Sequence, residues 1–112
     1  MSGSKVTSGV LEGLFDVIKS RRGQSPESSY TAKLLARGRG EIARKVGEEA
    51  CETIVAALDE TEEEVIAESA DLLYHLMVLW AQMEIDPADV WAELQRREGV
   101  SGIDEKNARP KK

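Results

Sequence analysis

The stretch "VIAESADLLYHLMVLWAQM" (residues 65–83) decides how this chain folds. Its apolar side chains cover nearly the whole circumference of an α-helix, a pattern that predicts a largely buried helix. The longest apolar-rich part, 70–83, contains His75 and is too short to span a bilayer. Yet the same helix carries Glu68, Asp71 and His75, whose directions fall within a stripe about 60° wide. Burying an unpaired carboxylate is costly, and burying two close together is worse. The stripe therefore calls for cationic partners, a shared proton or a bound cation.

The preceding helical pattern supplies the other half of the problem. In "KVGEEACETIVAAL" (45–58), Glu48, Glu49 and Glu52 interrupt an apolar repeat. At about 100° per residue, Ile42, Val46, Ala50, Ile54 and Leu58 share an arc of about 160°. Lys45, Glu48, Glu49 and Glu52 gather on the other side. Like charges at i, i+3 and i, i+4 repel by a few tenths of a kcal/mol, and Lys45 offsets part of this. Alone, these glutamates fit a solvated helix face. Opposite Glu68 and Asp71, across the short turn "DET", they fit a cation site in an antiparallel hairpin. Carboxylates without a thiolate cluster suit Mg²⁺, with Mn²⁺ as the alternative. A di-iron bundle normally uses Glu-x-x-His on two helices, and this chain has one histidine. Metal-assisted phosphoanhydride hydrolysis is the working chemistry.

The remaining segments also read as helices, with no convincing strand. Val6, Val10, Leu14, Val17 and Ile18 predict a first helix over roughly 5–21. "RRGQSPESS" (21–29) is a turn-rich connector, and Ser28 or Ser29 can cap a short helix over "YTAKLLAR" that Gly38 ends. The third helix is expected from about 40 to 58. Thr61 and Glu64 form a capping-box pattern that opens the fourth, which runs to about Met83. Asp86-Pro87 opens a fifth that extends to about Arg97 and stops at Gly99. The expectation is an all-α helical bundle of about four to five helices. Residues 1–112 form one domain, with about 103–112 as a flexible tail.

Composition agrees. A chain of 112 residues, 41% hydrophobic and 32% charged, has room for one core, and its five aromatic residues leave that core mainly aliphatic. So small a chain commonly oligomerises, and a homodimer is expected. The net charge of −6 argues against nucleic-acid binding. Positive charge concentrates instead at Lys33, Arg37, Arg39, Arg44 and Lys45, beside the acidic cluster. Lys33, Arg37, Arg39 and Lys45 are candidate phosphate contacts, with Arg97 and Lys106 weaker ones. The sole cysteine, Cys51, is expected to be a small core residue and fits a reducing compartment. Residues 1–22 lack the apolar run of a signal peptide, so a cytoplasmic protein without membrane partners is expected. A buried, hydrogen-bonded role is favoured for His75 over carboxylate orientation. Tyr30 could equally be a packed aromatic or a platform for a base or ribose. Gly38 and Gly40 read as a helix stop and a hinge.

The run Glu48-Glu49-x-x-Glu52, fifteen residues, then Glu68-x-x-Asp71 resembles the signature of the all-α nucleoside-triphosphate pyrophosphohydrolases, the MazG-like superfamily. "SYTAKLLARGRGEIARKVGEEACE" (29–52), "ESADLLYHLMVLWA" (68–81) and "DVWAELQRREGVSG" (89–102) narrow the resemblance to the phosphoribosyl-ATP pyrophosphatase family. The likeness covers most of 10–106, with no segment resembling the cyclohydrolase fused to this domain in some organisms. It implies hydrolysis of phosphoribosyl-ATP to phosphoribosyl-AMP and pyrophosphate, a Mg²⁺ requirement and a homodimer of intertwined helices. It also implies Glu49, Glu52, Glu68 and Asp71 as metal ligands. Glu48 would orient the attacking water or add a further ligand. Two other readings stay open here: a housecleaning pyrophosphatase acting on dUTP or damaged nucleotides, and a non-catalytic helical dimerisation module.

Overall fold

A computed structural model describes residues 6–99 and 102–109. Six helices occur among them and no strand: α1 (Gly9–Ser20), α2 (Tyr30–Arg37), α3 (Arg39–Asp59), α4 (Glu62–Met83), α5 (Pro87–Arg96) and α6 (Gly102–Ala108). The fold is all-α, with the α3–α4 hairpin as its main packing unit.

Local chemistry explains most of the boundaries. Ser29 stands in extended conformation before α2, and its side chain accepts a hydrogen bond from the Ala32 amide. Gly38, at φ 94°, ends α2 and begins α3 in a single residue. Its amide bonds back to the Leu34 carbonyl, and its carbonyl accepts from the Ile42 amide. That positive φ makes glycine the natural occupant. Thr61 Oγ1 accepts from the Glu64 amide at 3.2 Å and opens α4 as its spacing predicts. Asp86 caps α5 through Ala88, with Pro87 in the first turn. The C-terminus of α4 is closed by Glu84 in the left-handed region, φ 60°. Arg22 braces that bend, donating to the Ala81 carbonyl at 2.6 Å and pairing with Glu84 at 3.7 Å.

Phe15, Ile18, Leu34, Ile42, Met77, Val78 and Ala81 form the core. It lies where α1 and α2 cover the N-terminal half of α3 and the C-terminal half of α4. Of the residues whose spacing predicts α1, Leu14 and Ile18 turn inward, joined by Phe15 and Leu11, while Val6, Val10 and Val17 are exposed. The bulkier leucines and phenylalanine lie on a stripe that bury more area against α4 than the valines would. The helix also starts at Gly9, whose amide bonds to Thr7 Oγ1, rather than near Lys5, which lies outside the described residues.

The far half of the hairpin has no cover in one copy of the chain. Leu58 is 77% exposed, Ile66 66% and Ile54 58%, with Val55 and Leu73 also open. This corrects two expectations: α4 is buried only over its C-terminal half, and the apolar arc of α3 packs at Ile42 but not at Ile54 or Leu58. Cys51 is likewise exposed rather than a core residue, because it lies on the same open side of α3. The segment read as a tail holds α6, while 100–101 and 110–112 lie outside the described residues. No helix among the described residues is long and apolar enough to cross a membrane.

Candidate functional site: a carboxylate cluster between α3 and α4

Helices α3 and α4 run antiparallel from the turn at Glu60, so Glu49 and Asp71 stand at equal distances from it along the chain, and so do Glu52 and Glu68. This symmetry brings side chains from both helices together on one face. Oxygen atoms of Glu49, Glu68 and Asp71 lie within 4.8 Å of one another, close enough to hold one metal ion. Glu49 is only 8% exposed, Glu68 is half-buried, and Asp71 opens to solvent.

The electrostatics are unfavourable without a cation. Glu49 Oε1 and Glu68 Oε1 are buried and find no hydrogen-bond partner. Such orphaned acceptors are rare in folded chains. Burial pushes the Glu68 carboxyl above the usual carboxylate range. The charge of Glu52 and a hydrogen bond shared with it add to the shift, followed by the charges of Asp71 and Glu49. A divalent cation would reverse each of these effects, and an all-oxygen donor set fits a hard ion. The residues present therefore fit the group that the spacing implied.

Glu48 stands apart from the three-carboxylate cluster. It pairs with Arg44 and accepts from Lys45 Nζ at 3.3 Å. Arg44 also bonds Glu41 through both carboxylate oxygens, at 2.6 and 3.3 Å. The fork holds the Glu41 carboxyl below its ordinary range. Lys45 is half-buried, and its ammonium is held protonated first by the Glu48 hydrogen bond, with Tyr30, the Glu48 charge and Glu49 adding to it. Of the other basic candidates, Lys33 is exposed, Arg37 pairs with Glu41 at 3.7 Å, and Arg39 donates to Gln82 at 3.3 Å. Arg97 bonds Glu93 on α5, and Lys106 is exposed on α6.

One set of contacts was not legible in the sequence. His75 is 5% exposed and uses both ring nitrogens, Nδ1 toward the Asp71 carbonyl at 2.8 Å and Nε2 toward the Tyr30 hydroxyl at 3.1 Å. Its buried, hydrogen-bonded state matches the favoured expectation. Beside it, Tyr74 bonds the Thr31 hydroxyl, and the Tyr30 and Tyr74 rings stack with centroids 6.3 Å apart. These contacts join residues some 43 to 45 positions apart. No local spacing signals them.

The helical hairpin brings together facing carboxylates that can take a metal ion, the arrangement expected of the class of all-α pyrophosphohydrolases. Within that class, the chain belongs to the phosphoribosyl-ATP pyrophosphohydrolase family, whose sequence profile matches residues 11–98. It is 64% identical over 103 residues to the phosphoribosyl-ATP pyrophosphatase of Paramagnetospirillum magneticum, covering 92% of this chain and 94% of that protein. It is 62% identical to the protein of that name from Rhodospirillum rubrum, over 91% of this chain and 87% of the relative. The Azospirillum brasilense phosphoribosyl-ATP pyrophosphatase is 53% identical across 97% of this chain and 98% of its own length.

Proposed function

We propose that this chain hydrolyses phosphoribosyl-ATP at its α–β phosphoanhydride, giving phosphoribosyl-AMP and pyrophosphate. This is the second step of L-histidine biosynthesis, carried out in the cytoplasm by one all-α domain. The observation that carries the reading is the pair of orphaned, buried carboxylate oxygens on Glu49 and Glu68, facing each other beside Asp71 in a chain of this family.

Glu49, Glu68 and Asp71, with Glu52 alongside, would hold Mg²⁺ or Mn²⁺. When bound, the ion neutralises polyphosphate charge and polarises the scissile anhydride. Lys45 places an ammonium at the edge of the acidic cluster, where it meets phosphate oxygens. Lys33, Arg37 and Arg39 line the approach on α2 and the start of α3 and bind the outer phosphates. Arg37 and Arg39 would exchange their present partners for phosphate. Glu48, which pairs with Arg44 and Lys45, would orient the attacking water and take its proton. The oxygen of that water bonds to one of the two phosphorus atoms of the α–β anhydride, the bridging oxygen leaves with the group on its other side (pyrophosphate for attack at the α phosphorus, phosphoribosyl-AMP for attack at the β), and charge spreads over the equatorial oxygens.

The protein acts as a homodimer, with a second copy covering the apolar end of the hairpin. Support comes from that face itself: Ile54, Val55, Leu58, Ile66 and Leu73 form an open apolar surface continuous with the core hairpin. Steady-state rates on phosphoribosyl-ATP and a panel of canonical and modified dNTPs test the substrate. A clear preference for phosphoribosyl-ATP is expected. Turnover of dNTPs without turnover of phosphoribosyl-ATP would overturn the assignment in favour of a housecleaning enzyme.

A further inference from the structure

A tyrosine usually hides its ring and keeps its hydroxyl wet. Tyr30 does the reverse. Its hydroxyl reaches inward to Nε2 of the buried His75 at 3.1 Å, while the residue as a whole is 51% exposed. What it shows to water is therefore ring rather than hydroxyl. That ring is also held in place. The Tyr74 ring lies at 21° to it with centroids 6.3 Å apart, and the His75 ring meets it edge-on at 6.0 Å. Leaving apolar surface in water is unfavourable, so a fixed, open aromatic ring calls for an occupant. The ring stands beside the acidic site. His75 Nδ1 donates to the Asp71 carbonyl at 2.8 Å, so one side chain links Tyr30 to a residue of the carboxylate cluster. His75 follows Asp71 by one turn of α4, about 6 Å along the axis. On α2, Tyr30, Lys33 and Arg37 have i, i+3, i+7 spacing, which puts them within about 60° of one another. All three are exposed, while Ala32 and Leu34 turn to the core. One face of α2 thus offers an aromatic ring and two cations next to the carboxylates.

We propose that Tyr30 is the base platform of this site: the purine of the nucleotide stacks on its ring while the phosphates reach Lys33, Arg37 and the carboxylate-held cation. The proposal rests on the reading of the site given above and deepens it by assigning the nucleobase a contact. Cations and a metal ion grip any polyphosphate alike. A fixed aromatic ring adds selection for a nucleotide, because it gains only from a ligand that has a base to stack. Anchoring α2 to α4 would not by itself need Tyr30, since the Thr31–Tyr74 hydroxyl bond already joins the same two helices. The hydroxyl bond to His75 and the Tyr74 ring hold the platform before the ligand arrives, so stacking on it costs little side-chain entropy.

Calorimetric titration with AMP, ribose 5-phosphate and inorganic tripolyphosphate, each in excess Mg²⁺, tests this. The wild type is expected to bind AMP about tenfold tighter than ribose 5-phosphate, which lacks the base. Tyr30→Leu should abolish that preference and raise KM for phosphoribosyl-ATP by about the same factor, with tripolyphosphate affinity within about twofold. Tyr30→Phe keeps the ring and should retain the preference within about threefold, although losing the hydroxyl bond lowers Tm. Nuclear Overhauser contacts between the adenine protons of AMP and the Tyr30 ring are expected in the wild type and need no variant. Their absence, a wild type without base preference, or a preference that survives Tyr30→Leu would overturn the proposal. So would an equal loss of tripolyphosphate affinity in Tyr30→Leu, or Tyr30→Phe as impaired as Tyr30→Leu. A Tyr30→Leu protein that sediments as a smaller species would also overturn it, by showing that the ring packs on a second copy. If the base preference depends on Tyr30 but the wild type does not hydrolyse phosphoribosyl-ATP, the functional assignment fails and the platform stands.

Discussion

Glu68 is the side chain on which the site's behaviour turns. In the metal-free protein its carboxyl binds a proton more tightly than in the unfolded chain, through burial first and Glu52 next. A group whose folded pKa is raised contributes stability at low pH and loses it as pH rises through the folded value. Glu68→Gln is therefore expected to raise Tm in EDTA at pH 7 and to flatten this part of the pH dependence. The same variant should lose the Mg²⁺-dependent stabilisation, which for the wild type reaches about 2.7 kcal/mol when the ion is at a hundred times its Kd. Thermal scans with EDTA and with Mg²⁺ read both arms. A Glu68→Gln protein that keeps its full Mg²⁺ response would exclude this residue from the cation site. Glu68 and Asp71 were legible in the sequence because helical periodicity fixes which residues of one helix share a face, whereas Glu49 shared its face with Glu48 and Glu52 and was singled out, with Glu52, only by the family resemblance. The pairing of Glu48 with Arg44 was not, since Arg44 has acidic neighbours both three residues back and four ahead. The Tyr30–His75 bond was also hidden, because it depends on how α2 lies against α4.

Helix ends were the most readable feature above single residues. Caps are local chemistry, so Ser29, Gly38, Thr61 and Asp86 act where the sequence places them. Thr61→Ala should cost about 1 kcal/mol by freeing the Glu64 amide, a loss of several degrees in Tm. Gly38→Ala forces a Cβ onto a backbone at φ 94°, ψ 178°, a conformation essentially confined to glycine, and should cost about 1–3 kcal/mol. Urea unfolding measures both, and values near zero would mean that these turns relax without them. The register of α1 was less readable. Its valines and its larger apolar residues both follow helical spacing, and only contact with α4 decides between the two stripes. The left-handed close of α4 at Glu84 has no sequence signature either, because it depends on Arg22 reaching back to Ala81.

For the molecule as a whole, the decisive feature is an uneven distribution of cover. Helices α1 and α2 shield one end of the α3–α4 hairpin and leave the apolar side chains of the other end in water. The sequence shows that α3 and α4 are apolar but not which half a single copy can cover, since that depends on the reach of the short helices. Burying a leucine or isoleucine fully is worth about 1.5–3 kcal/mol, so several such residues give a second copy ample reason to associate. Ile54→Glu together with Leu58→Glu should shift the protein to a monomer in sedimentation velocity at micromolar concentration. A wild type that sediments as a monomer under those conditions would refute the dimer. The acidic cluster lies toward this open half of the hairpin, so the dimer-breaking pair is also expected to lower activity.

All three scales meet in the claim that the α3–α4 carboxylates serve phosphoanhydride hydrolysis. The most direct test is pyrophosphate release from phosphoribosyl-ATP, measured with Mg²⁺ and with EDTA, for the wild type and for Glu49→Gln/Glu68→Gln. The account predicts stoichiometric pyrophosphate and phosphoribosyl-AMP from the wild type with Mg²⁺, and loss of release both in EDTA and in the double variant. Undiminished release by Glu49→Gln/Glu68→Gln, or none from the Mg²⁺-supplied wild type, would contradict it.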